Sequence, residues 1–157
     1  MRTLIAGFGN VLRGDDGFGV AVIHRLEAER ASLGDGVELM EVGTGGIRLA
    51  QELLAGYARL VVVDAMTRGG VPGTLYVQEV DEVMAATSID LHLAVPARAL
   101  AVAQALGALP GRVFLVGCEP GEVDELTLDL TPPVQEALAD AVGHVRRLLA
   151  GALLERA

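Results

Sequence analysis

Short apolar runs alternate along the chain with longer segments of helical period. Residues 2–7 read as a first buried strand around Thr3-Leu4-Ile5-Ala6. A glycine-rich loop from Gly7 to Gly17 follows, and the spacing predicts a helix from about Asp16 to Leu33. Val37–Val42 reads as a second strand, Ile47–Ala55 as a helix and Leu60–Asp64 as a third strand. The run Leu60-Val61-Val62-Val63 is continuous and rich in β-branched residues, the pattern of a central parallel strand covered on both faces. Thr74–Val80 alternates instead, just after the turn Val71-Pro72-Gly73. Too few residues separate it from the third strand for a helical crossover, so it reads as an edge strand and an antiparallel direction is open to it.

A helix is expected over Pro96–Leu106 with Pro96 in its first turn, then a fifth strand at Val113–Gly117. Thr131 is placed as the N-cap of a last helix that carries Pro132 and Pro133 in its first turn. Val134, Leu138, Val142, Val145 and Leu149 recur there at helical spacing. The order βαβαββαβα implies a three-layer α/β/α sandwich on a mostly parallel sheet. Such folds collect ligands outside the carboxyl ends of their strands. With neither a repeat nor a linker in view, residues 1–157 read as a single domain.

Composition narrows the functional classes. Hydrophobic residues make up 52% of the chain, which argues for a packed core, and aromatics only 3%, so Val, Leu, Ile and Ala must fill it. A net charge of −9 with no basic cluster argues against a nucleic-acid partner. No apolar run nears the roughly 18 residues of a membrane span. The single cysteine fits a reducing compartment, and a cytoplasmic protein is expected. Ser32 and Ser88 lie outside any nucleophile-elbow context, which argues against serine hydrolysis. Leu12 stands where a dinucleotide fingerprint needs its third glycine, and the chain has no lysine for a phosphate loop.

Three residues remain as candidate chemistry. Asp15-Asp16 lies between Gly14 and Gly17 at the carboxyl end of the first strand. One of the two would suffice to cap the next helix, so Asp16 is the functional candidate and Asp15 its structural partner. Asp64 ends the most apolar strand, where a carboxylate is costly unless something binds it, or unless turn amides satisfy it. His92 precedes a helix and alone would read as a packing or capping residue; His24 and His144 fall within expected helices. Together, two carboxylates and an imidazole on three connections make a ligand set suited to a divalent transition metal. Cys118, at the end of the fifth strand, reads as a buried small hydrophobe.

These residues sit in familiar company. Gly7-Phe8-Gly9-Asn10-Val11-Leu12-Arg13-Gly14-Asp15-Asp16-Gly17-Phe18-Gly19-Val20 closely resembles the N-terminal signature of the hydrogenase maturation endopeptidases. The resemblance continues through Gly43-Thr44-Gly45-Gly46, Val61-Val62-Val63-Asp64-Ala65, Pro72-Gly73-Thr74, Asp90-Leu91-His92 and Val116-Gly117-Cys118-Glu119-Pro120. It implies a five-stranded mixed sheet with one antiparallel strand between helical layers. It also implies an endopeptidase that removes the C-terminal extension from the precursor of a nickel–iron hydrogenase large subunit. The family's acidic signature residue maps onto Asp16, its strand-end aspartate onto Asp64 and its histidine onto His92. These would serve as both catalytic and metal-contacting residues, toward nickel supplied by the precursor and read as proof of its insertion. Two positions depart from the family: Glu41-Val42 replaces an Asp-Gly-like pair, and Asp90 replaces a hydroxyl residue beside the Leu-His pair. Asp90 either orients the imidazole or caps the helix after it. A non-catalytic nickel-sensing or precursor-binding chaperone is the alternative within this fold, and a small-molecule hydrolase or nucleotide-binding protein the alternative outside the family. A monomer meeting its partner transiently is expected.

Overall fold

A computed structural model of the chain describes residues 2–80 and 94–151. Its strands are β1 (Thr3–Phe8), β2 (Val37–Gly43), β3 (Arg59–Ala65), β4 (Leu75–Glu79) and β5 (Arg112–Cys118). The helices are α1 (Phe18–Ala28), α2 (Ile47–Leu53), α3 (Ala94–Ala105) and α4 (Pro132–Leu149). The strands form one sheet in the order β2-β1-β3-β5-β4. β1, β2, β3 and β5 run parallel, while β4 lies antiparallel on β5 at the edge.

The period-2 alternation of side chains divides the core into two layers. Ile5, Val61, Val63, Phe114 and Val116 face α1 and α4. Leu4, Ala6, Leu60, Val62 and Leu115 face α2 and α3. Because β1, β3 and β5 are covered on both sides, every position in them can be apolar, and continuous runs result. β2 and β4 are only partly buried, in keeping with their edge positions.

α1 is shorter than its sequence pattern. Gly14–Gly17 forms a 3-10 turn, α1 begins at Phe18, and Arg30–Ser32 forms another 3-10 turn. Phe18, Gly19, Val20, Val22, Ile23 and Leu26 are the buried positions of α1, and between Leu26 and β2 no buried side chain holds the chain in helical register. At the other end, Thr131 does take the extended N-cap conformation ahead of two prolines but makes no side-chain cap bond. Pro133 at the second helical position has no N–H to offer it, and its hydroxyl is used elsewhere. No helix among the described residues is long and apolar enough to cross a membrane.

From β1 the chain crosses to β2 on one side, and from β3 it proceeds to β5 and β4 on the other. The carboxyl ends of β1 and β3 therefore flank the point where strand order reverses, the position at which open α/β sheets bind ligands. Two glycines let the segment after β1 settle there. A side chain at Gly19 would meet the Val63 carbonyl oxygen at 2.3 Å and that of Phe8 at 2.5 Å, so α1 starts in direct backbone contact with both strands. Gly9 has φ of +121°, and a Cβ there would lie 1.8 Å from the Asp16 carbonyl oxygen.

Gly19→Ala tests this contact, because helix propensity alone would favour alanine by about 1 kcal/mol. The backbone crowding should reverse that sign and destabilise the chain by about 1–3 kcal/mol. The expected reading in urea unfolding is a lower midpoint at unchanged slope; a midpoint at or above wild type contradicts the packing described.

Candidate functional site

Asp16 and Asp64 line one cavity of about 240 Å³ at the carboxyl ends of β1 and β3. Its walls also include Gly9, Thr44, Thr67 and Pro120. Asp64 arrives as the penultimate residue of β3, and Asp16 arrives through the 3-10 turn after β1. Asp16 is held by the Asn10 amide, which donates to its Oδ2 at 2.9 Å. The end of β2 is drawn alongside, because the Gly9 amide donates to the Gly43 carbonyl at 2.8 Å and so brings Thr44 to the rim. Gly45, in the same loop, has open space where a side chain would be.

Electrostatically the pair is asymmetric. Asp64 is 5% exposed, and Asp16 is half-buried. Burial raises the Asp64 pKa well above the ordinary carboxylate range, and the neighbouring charge of Asp16 raises it further. The Ala65 amide works in the opposite direction by donating to the carboxylate. Such a site disfavours two full negative charges and favours a proton or a cation between them.

Asp15, adjacent in sequence, does something quite different. It is fully buried and accepts from four donors: the amides of Gly121, Glu122 and Thr131 at 2.7, 3.1 and 2.7 Å, and the Thr131 hydroxyl at 2.7 Å. This is where the N-cap hydroxyl of α4 goes. Neither Asp15 nor Asp16 caps α1, whose N-cap is Gly17. Asp15 instead clamps the loop after β5 against the loop after β1, the structural part expected of it, while Asp16 faces the cavity.

A second clamp had no local sequence signal beyond its place in the family-like stretch. Glu119 is buried, and its Oε1 accepts from the amides of Arg68 and Gly70 at 2.8 and 3.0 Å and from the Tyr76 hydroxyl at 2.6 Å. It thereby fixes the loop after β3 that carries Thr67 to the cavity wall. Cys118 is buried in the core, and its thiol is pushed up to about 12 by burial, with the charge of Asp15 adding to the effect. A thiol in that state is inert at neutral pH. His24 lies exposed on α1 against Glu41 at 3.2 Å, and His144 lies on α4 beside Arg147. His92 and Asp90 fall outside the described residues. Pro96, four positions after His92, lines the cavity.

The fold and cavity define an α/β/α protein that gathers carboxylates where its strand order reverses. The model of the hydrogenase maturation protease family matches residues 20–147. The hydrogenase expression/formation protein HupD of Rhodobacter capsulatus is 38% identical over 152 residues, covering 92% of this chain and 71% of the relative. The hydrogenase 2 maturation protease of Escherichia coli K12 is 32% identical over 148 residues, covering 92% and 88%. The solved structure of the hydrogenase maturating endopeptidase HybD from E. coli superposes with a TM-score of 0.82 at 28% identity, covering 97% of this chain and 94% of that one. This chain belongs to the hydrogenase maturation protease family.

The raised Asp64 pKa has a consequence for stability. Below the ordinary carboxylate range, near pH 4, Asp64 is protonated both folded and unfolded and contributes nothing. Above it the unfolded chain releases the proton while the folded one retains it, so stability falls as pH rises until the folded carboxyl also ionises. Asp64→Asn removes this penalty. It should raise Tm at pH 7 by about 2–4 °C for each 1 kcal/mol relieved, and the gain should vanish near pH 4. Differential scanning calorimetry at the two pH values checks this; an equal gain at both, or a loss at pH 7, contradicts it.

Proposed function

We propose that the chain is the endopeptidase that removes the C-terminal extension of a nickel–iron hydrogenase large-subunit precursor once nickel is in place. The observation that carries the reading is the pairing of Asp16 and Asp64 in one cavity, with Asp64 buried and reluctant to ionise. A cation delivered by the substrate would neutralise the pair and release the Asp64 proton. Without it, the two carboxylates oppose each other's charge. The site is therefore arranged to respond to a metal that arrives with the precursor. Carboxylate oxygens and an imidazole are donors that nickel accepts, and His92 is the proposed third contact.

The nickel would supply charge to polarise the scissile carbonyl or a water beside it. The protein's own residues supply the rest. Asn10 orients Asp16 through its amide, and burial holds the Asp64 proton more tightly than an ordinary carboxylate does, which suits a group that holds or returns a proton. The Thr44–Gly45 rim leaves room for an extended peptide backbone. The net charge of −9, the single buried thiol and the membership in this family support a cytoplasmic enzyme that acts as a monomer on a transient protein partner.

A processing assay with nickel-loaded and nickel-free precursor tests the reading. The extension should be lost only from the loaded sample, and Asp16→Ala or His92→Ala should slow its loss by on the order of 100-fold or more. Equal cleavage without nickel would remove the metal-reading role. Binding without cleavage by the wild-type chain would favour a nickel-sensing chaperone on the same fold.

A further inference from the structure

Four apolar side chains stand exposed on the two loops that also supply cavity-lining residues, Leu128 among them facing a separate pocket with His24 and Arg25. Val11 and Leu12 are 41% and 54% exposed, and Leu126 and Leu128 are 85% and 72% exposed. They come from two loops far apart in sequence that are zipped together as a short parallel bridge at Arg13 and Thr127. The Thr127 amide donates to the Leu12 carbonyl at 2.9 Å, and the Gly14 amide donates to the Thr127 carbonyl at 2.9 Å. That register sets Leu12 abreast of Leu126. The same loops supply the site itself: Asp16 follows one leucine pair member, and Pro120 and Val123, both cavity-lining, precede the other. The lip and one wall of the cavity are therefore built on the same two loops, which the Asp15 clamp ties together.

Acids flank Leu126 and Leu128 along the chain. Glu122, Asp124, Glu125 and Asp129 lie within eight consecutive residues, Glu122–Asp129, and the Asp124 side chain is 87% exposed, meeting Arg13 at 3.4 Å. An apolar surface inside an acidic border fits a segment with apolar side chains flanked by Arg or Lys.

We infer that this lip docks the C-terminal extension of the precursor, taken as an extended apolar stretch flanked by basic residues. The inference rests on the function proposed above. If the metal-bearing part of the precursor occupies the cavity, the chain leaving the scissile bond must cross the rim. A free chain end can lie extended over an exposed lip beside a cavity, whereas a folded body cannot thread there. The lip thus selects the substrate on the side of the bond opposite the metal.

The double variant Leu12→Ser/Leu126→Ser tests it, since both side chains are exposed and their loss leaves the core untouched. With a nickel-loaded precursor that the wild-type chain processes, KM should rise roughly tenfold while kcat stays near wild type. Leu54→Ser, 58% exposed at the far end of α2, serves as the control and should change neither. A fluorescent peptide of the extension should bind the wild-type chain, more weakly as salt is raised, and bind the double variant at least tenfold more weakly. A double variant with wild-type KM and wild-type peptide affinity overturns the lip. A wild-type chain that binds the peptide but cleaves no loaded precursor overturns the proposed protease activity and leaves the docking surface standing.

Discussion

The site depends on how closely the backbone after β1 approaches the ends of two strands. With Gly19 the first turn of α1 rests on the carbonyls of Phe8 and Val63, and Gly9 lets the 3-10 turn fold back over the strand end. Side chains at these points would meet backbone oxygens well inside van der Waals contact, so α1 and the turn before it would have to shift. Asp16 would then leave the mouth of the crevice that Asp64 occupies. A family signature dense in glycine is thus a packing requirement first; the chemistry follows from where the packing puts a carboxylate.

Three buried acids illustrate how environment separates structure from chemistry. Asp15 and Glu119 are surrounded by amides and hydroxyls that donate to them, and each ties two loops together. Asp64 has the Ala65 amide on one side and the charge of Asp16 on the other. The first two stabilise the rim on which the third depends. The third is buried with its proton held tightly, and it is the group whose removal is expected to stabilise the fold at neutral pH. The two clamps also explain how a cavity built from loops can keep a fixed shape.

Much of this was legible in the sequence, for local reasons. Buried parallel strands write continuous apolar runs, so β1, β3 and β5 could be placed within a residue or two, and the alternation of Thr74–Val80 marked an edge strand whose antiparallel direction the local pattern left open. The division between Asp15 and Asp16 followed from the fact that two adjacent carboxylates exceed what one structural role needs. Other features had no local trace. The donors to Glu119 lie 43 to 51 residues away in sequence. Those to Asp15 lie 106 to 116 residues away. The start of α1 was misplaced because the acidic turn before it resembles a capped helix, while its aspartates are spent on the far loop and on Asn10. Thr131 was placed correctly as an N-cap, but its hydroxyl goes to Asp15, a partner that only the folded chain brings near.

Asp16 and Asp64 share one electrostatic environment, and a double-mutant cycle on folding stability measures the coupling between them. Asp16→Asn, Asp64→Asn and the double variant would be unfolded in urea at pH 7 and low salt. If the two charges oppose each other in one cavity, the double variant should gain less than the sum of the single gains, by roughly 0.5 kcal/mol or more. Strictly additive effects would contradict the shared site.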